Sequence, residues 1–108
     1  MRHFNKYQFL TDLREELINE CASLYSRDAD ENEFQDSLDS LVHSYIDNAC
    51  IYYADCWAIC YELASSDFEI EQTGETAKNI NELAYWALYD LSSSIDIDLL
   101  IESVKPKA

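Results

Sequence analysis

The sequence predicts an all-α protein, a single-domain bundle of four to five helices over residues 1–108. Three observations lead there. Glycine and proline, which punctuate sheet proteins every few residues, occur once each, as Gly74 and Pro106, outside the periodic segments. Apolar residues return at steps of three and four, the spacing of one helix face. Hydrophobic residues make up 48% of the chain, enough for a core at a length that buries about two-thirds of the surface exposed on unfolding.

A first helix is predicted from Asn5 to Tyr25, with Leu10, Leu13, Leu17, Cys21 and Leu24 as its stripe and Ile18 and Tyr25 beside it. The opposite face carries Thr11, Asp12, Arg14, Glu15, Glu16 and Asn19, and the polar run Ser26 to Asn32 breaks the pattern. A second helix, Glu31 to Asn48, capped by Asp30 or Asn32, turns Phe34, Leu38, Leu41, Val42, Tyr45 and Ile46 inward. The third, Ile51 to Ala64, is apolar on nearly all sides, a pattern that predicts a buried, central helix. β-Branched and aromatic residues crowd Cys50 to Tyr53, so a short strand there is the alternative.

After a polar connection from Ser65 to Thr73, a fourth helix begins at a Thr73 or Thr76 cap. Its face is Ile80, Leu83, Ala84, Ala87, Leu88 and Leu91, and it breaks at Ser92, Ser93 and Ser94. A short fifth helix, Ile95 to Val104, is expected to point Ile95, Leu99 and Leu100 inward, leaving Lys105 to Ala108 as a frayed tail.

Charge is the strongest feature of the composition. Seven Lys and Arg stand against 22 Asp and Glu, for a net charge of −15, where a magnitude of about 2–8 keeps a small domain soluble. Acidic disordered chains are poor in aromatics, whereas this one has eight Tyr, four Phe and two Trp. It reads as a folded acidic body. From Asp28 through Ala77 there is no Lys or Arg, yet the span holds thirteen Asp and Glu. The basic residues Arg2, Lys6, Arg14, Arg27, Lys78, Lys105 and Lys107 gather toward the two ends. On the second helix Asp30, Glu33, Asp36 and Asp39 repeat every three residues, winding a carboxylate ridge at about 4.5 Å of rise per step.

Catalytic and metal chemistry find little support. Cys21, Cys50, Cys56 and Cys60 lack the Cys-x-x-Cys knuckles of structural zinc and sit in apolar stripes, as buried thiols do. Asp28, Asp30, Asn32, Asp36 and Asp39 fall on the oxygen-donor positions of a calcium loop, but Glu33 stands where that loop needs glycine. The stretch therefore reads as a solvated helix start, and no metal or cofactor is expected. His3 and His43 are the only histidines. His43 follows Val42 on the second helix and reads as a boundary residue, not as the base of a nucleophile. With one glycine there is no phosphate-binding loop, and a negative surface repels nucleic acid. No enzyme is expected. No stretch of about 18 apolar residues predicts a membrane span, and Met1 to Leu10 is too polar for a secretion signal, so a cytoplasmic protein with reduced thiols is expected.

In size, acidity, helicity and lack of a catalytic motif the chain resembles the DNA-mimic proteins of phages and mobile elements, the anti-restriction and anti-CRISPR inhibitors. The stretch from Asp36 to Asp55 also resembles a segment of short phage-encoded accessory proteins. The resemblance implies an inhibitor that occupies the basic nucleic-acid-binding surface of a partner protein, in a host cell's cytoplasm. The carboxylates expected to meet that partner are Glu31, Glu33, Asp36, Asp39 and Asp47, with Asp67, Glu69 and Glu71. An alternative expectation is a helical assembly module forming a homodimer through Tyr52, Tyr53, Trp57, Tyr85, Trp86 and Tyr89.

Overall fold

Three of the helices begin where the sequence offers a side-chain oxygen to otherwise unpaired amide groups. The computed structural model describes residues 3–63 and 80–106; the side chain of Tyr53 lies outside this description, as do Asp67, Glu69, Glu71, Thr73 and Thr76. Helix α1 (Lys6–Ser26) is capped by Asn5, whose Oδ1 accepts from the amides of Tyr7 and Gln8, each at 3.0 Å. Helix α2 (Glu31–Ala49) is capped by Asp30, whose Oδ1 accepts from Glu33 N–H at 2.9 Å. Two further helices follow, α3 (Tyr53–Leu63) and α4 (Ile80–Ser92). Asp96 caps the last helix, α5 (Ile97–Val104), through Leu99 N–H at 3.1 Å. Among the described residues there is no strand, and Cys50 to Tyr52 form a turn and bend instead.

The α1–α2 connection is a Schellman turn. Ala29 N–H donates to Leu24 O at 3.0 Å and Asp28 N–H to Tyr25 O at 3.2 Å, the paired bonds that close a helix through a left-handed residue. That residue is Asp28, with φ of 53°, in a position that usually takes glycine. The would-be calcium loop is thus a turn followed at once by a capped helix. At the other end of the chain the three serines stop α4 by bonding back to it. Ser92, Ser93 and Ser94 each donate through Oγ to the carbonyl three residues earlier, at 2.7, 2.6 and 2.8 Å, which competes with helix propagation.

One apolar cluster joins the five described helices. Leu13, Leu17, Cys21 and Leu24 of α1 meet Phe34, Leu38, Val42 and Ile46 of α2, with Cys56, Ile59, Cys60, Ile80, Ala84, Leu88, Ile95 and Leu100 completing the core. In α1 the buried residue of the first turns is Phe9, while Leu10 is half-buried and Ile18 exposed. α1 and α2 form a hairpin, α5 packs on α1, and α4 touches α1, α2 and α3. The Tyr25 hydroxyl ties the hairpin to α5 by donating to Ile101 O at 3.0 Å.

Two expectations from hydrophobicity alone are corrected. α3 is not the central helix: it packs against α4 and buries Cys56, Ile59 and Cys60, while Ile51, Tyr52 and Tyr61 around it stay 62%, 63% and 55% exposed. Tyrosine tolerates this because its ring packs while its hydroxyl stays wet, so an all-round apolar pattern rich in Tyr overstates burial. Leu99 does not point inward but is 66% exposed. With α5 starting at Ile97, the inward positions are Leu100 and, half-buried, Ile97, Ile101 and Val104.

Substituting Leu17, fully buried between α1 and its partners, by Ala is expected to cost about 2–5 kcal/mol in chemical denaturation. Asp28→Gly is expected to act in the opposite sense, adding about 1 kcal/mol by relieving the left-handed conformation.

Candidate functional site

The acidic ridge of α2 stands beside the aromatic face of α4. At about 100° of turn per residue, Asp36, Asp39, His43 and Asp47 fall within about 80° of arc, on the flank of the stripe that buries Leu38, Val42 and Ile46. All of the ridge carboxylates are exposed, as are Glu31 and Glu33. Among the described residues no Asp or Glu is buried and Ser92 is the one buried polar residue.

His43 joins the ridge to α4. Its Nε2 stands 3.4 Å from Asp39 Oδ1 and its Nδ1 is hydrogen-bonded to the Tyr85 hydroxyl. The Tyr85 hydroxyl donates to Nδ1 in the tautomer with the proton on Nε2 and accepts from it in the other. The imidazole also stacks on two rings of α4, at centroid distances of 6.0 Å to Tyr85 and 5.5 Å to Tyr89. Trp86 packs edge-on against both tyrosines, at 5.3 and 5.6 Å, and remains 53% exposed. The result is a four-ring cluster with an open indole, set against a row of carboxylates.

The imidazole thus stands between a carboxylate and a phenol. Burial pushes the Tyr85 phenol up from its ordinary value, and Asp47, Tyr89 and Asp39 push in the same direction. A phenolate is therefore disfavoured at neutral pH, and the contact joins α2 to α4.

The ridge carries its charge largely uncompensated. No Lys or Arg pairs with Glu31, Glu33, Asp36, Asp39 or Asp47 among the described residues, and Asp39 has the His43 imidazole beside it. Lys6 instead lies over the Tyr7 ring, 5.3 Å from its centroid.

Of the expected contact residues, Asp36, Asp39 and Asp47 share the seam and Glu33 stands at its edge. Glu31 turns toward α5, where it lines a cleft with Asp98 and Glu102. Asp98 and Glu102 were not singled out from the sequence; their four-residue spacing on one face of α5 was the available signal. The aromatic residues expected at a dimer face divide into two groups. Tyr85, Trp86 and Tyr89 belong to the α2–α4 seam, whereas Trp57 neighbours Tyr61 at 6.0 Å in a cleft completed by His3 and Phe4. Tyr52 lies exposed at the bend before α3.

The cysteines are free thiols, three buried and Cys50 half-buried. Cys56 Sγ donates to Cys50 O at 3.3 Å, across the α2–α3 bend. Burial first, and Cys56 next, push the Cys50 thiol up to about 12, and burial raises Cys60 to about 11. Among the described residues no group of His, Cys, Asp or Glu is arranged to hold a metal ion, and no helix is long and apolar enough to cross a membrane.

Compared with known proteins, the chain matches no family model, no curated protein and no solved structure.

Two outcomes follow for the seam and the thiols. Tyr85→Phe, which leaves the half-buried His43 without its hydroxyl partner, is expected to lower stability by about 1 kcal/mol in urea unfolding. Cys50 and Cys60 bind their protons more tightly folded than unfolded. The stability they lend is whole below about pH 9 and is lost as pH rises through about 11 to 12. Melting temperature should therefore fall above pH 9, and Cys50→Ala should flatten that fall.

Proposed function

We propose that this chain is an acidic binding protein that occupies the basic nucleic-acid-binding surface of a partner protein, in the manner of a DNA-mimic inhibitor. The observation that supports the reading most is the row of exposed carboxylates on α2, unpaired with Lys or Arg among the described residues and braced on one helix. Like charges at such spacing cost a helix a few tenths of a kcal/mol per pair, a cost that a solubility role does not require. Asp39 and Asp47 stand about 12 Å apart along the helix axis, a reach comparable to a few phosphates of a duplex strand at about 3.4 Å each. Trp86, half exposed beside the row, supplies the kind of aromatic anchor that concentrates binding energy at protein interfaces. An anti-defence role against a nuclease, as in the phage inhibitors this chain resembles, is one form of the activity.

The test is binding to a panel of purified DNA-binding nucleases, repressors and histone-like proteins, with DNA as competitor. A partner should be displaced by duplex DNA, and its affinity should fall at least about tenfold between about 50 and 200 mM salt. Replacing Glu33, Asp36 and Asp39 together by Lys should abolish the complex while the helical signal is retained. Binding indifferent to salt, to DNA and to those reversals would refute the mimic. The second reading, a homodimer, draws on the exposed Trp86 and Tyr52; sedimentation at two concentrations, repeated with Trp86→Asp, decides it.

A further inference from the structure

The ridge is one wall of a groove. Where α4 ends and α5 begins, the chain crosses in front of α2 and leaves a cleft of about 450 Å³, lined by Asp36 and Asp39 on one side and Ile97, Asp98 and Ile101 on the other. A second cleft of about 500 Å³, carrying Glu31 and Glu102, shares Gln35, Asp98 and Ile101 with the first. The two adjoin at these shared residues, between α2 and α5. Each falls within the roughly 300–1,000 Å³ of side-chain and ligand pockets.

Its composition is unusual in one respect. The floor is apolar, made of the buried Leu38, Val42 and Ile95 with the half-buried Ile97 and Ile101. The rims are acidic, with Asp36 and Asp39 from α2 facing Asp98 from α5, and Glu31 and Glu102 further along. Among the described residues no Lys, Arg or His lines either cleft. A phosphate-bearing or anionic occupant is excluded by charge, and a purely apolar helix would leave the rims unsatisfied. A hydrated ammonium suits the rims but gains nothing from the floor. Arginine suits both. Its aliphatic stem covers apolar surface while its head stays polar, and its planar, weakly hydrated guanidinium forks onto carboxylates.

We infer that this groove receives an arginine-bearing segment of the partner, with arginine stems on the Ile97–Ile101 floor and guanidinium groups between the α2 and α5 carboxylates. The inference rests on the proposed function, and it adds that recognition is seated in one groove and prefers arginine to lysine. The seam around His43 and Trp86 then borders the occupied site.

The test uses the full chain and two fluorescent peptides, one alternating Arg with Ser and one alternating Lys with Ser, titrated by anisotropy at low salt. The Arg peptide should bind several-fold more tightly than the Lys peptide. Gln35→Trp leaves the charge unchanged and places bulk where the clefts join; it should weaken the Arg peptide about tenfold, as should Asp98→Asn. Glu15→Gln removes the same charge from the exposed face of α1, outside the groove and the ridge, and should change affinity less than about twofold. Circular dichroism and a melt of each variant guard against loss of fold. If both peptides bind alike, if Gln35→Trp binds as well as the wild type, or if Glu15→Gln equals Asp98→Asn, binding follows diffuse charge. The groove is then wrong, while salt- and DNA-sensitive binding to the protein panel would still uphold the mimic. An Arg peptide that binds as inferred alongside a panel with no DNA-displaceable partner would instead remove the mimic and leave an arginine-binding groove.

Discussion

A carboxylate without a cation beside it cannot leave water at tolerable cost, and this chain has 22 acidic residues to seven basic ones. That imbalance governs the molecule. Every helix must present a stripe apolar enough to close the core without a charge, and must hold its acids on the remaining arc. The core obeys this, since Ser92 is the one buried polar residue among those described, and its hydroxyl is spent on Tyr89 O. What remains outside is a negative surface of fixed geometry.

Several acids are turned to structural use at helix starts. Asp30 and Asp96 cap α2 and α5, and Glu31, Glu33 and Asp98 occupy first turns, where the helix dipole favours negative charge. No basic residue stands in the last turn of any described helix, so the opposite ends forgo that compensation. Scarcity of glycine has a similar consequence at Asp28, which adopts a left-handed conformation in a turn that glycine would make without strain. These are small costs, and each follows from a composition with one glycine and with no Lys or Arg between Asp28 and Ala77.

The seam between α2 and α4 shows how the acidic surface is stiffened without cations. His43 spans the gap, its ring stacked on Tyr85 and Tyr89 and its two nitrogens committed to Asp39 and Tyr85. Aromatic packing and one interhelical hydrogen bond thus do what an Arg–carboxylate pair does elsewhere. The ridge stays negative, and it stays in register with the groove that α5 completes.

The periodicity of apolar residues sufficed for the helical class, for the face of α2, for the face of α1 from Leu13 onward, and for the stop at Ser92 to Ser94, because those features depend on residues within one or two turns of each other. It left the α2 cap between Asp30 and Asn32, of which the structure uses Asp30, and put Leu10 where Phe9 is buried. It also sufficed to send the α2 carboxylates outward, since burial of Leu38, Val42 and Ile46 leaves them no other side. It misjudged α3 and Leu99, because hydrophobicity counts a tyrosine or a terminal leucine as core without knowing whether a neighbour is there to cover it. The partnership of His43 with Tyr85, 42 residues apart, and the placing of Asp98 and Asp36 on one groove were decided only by the packing of α4 on α2 and of α5 on α1. Spacing along one helix carries no information about which side chain of another helix will stand opposite it, and the candidate site is made of such pairs.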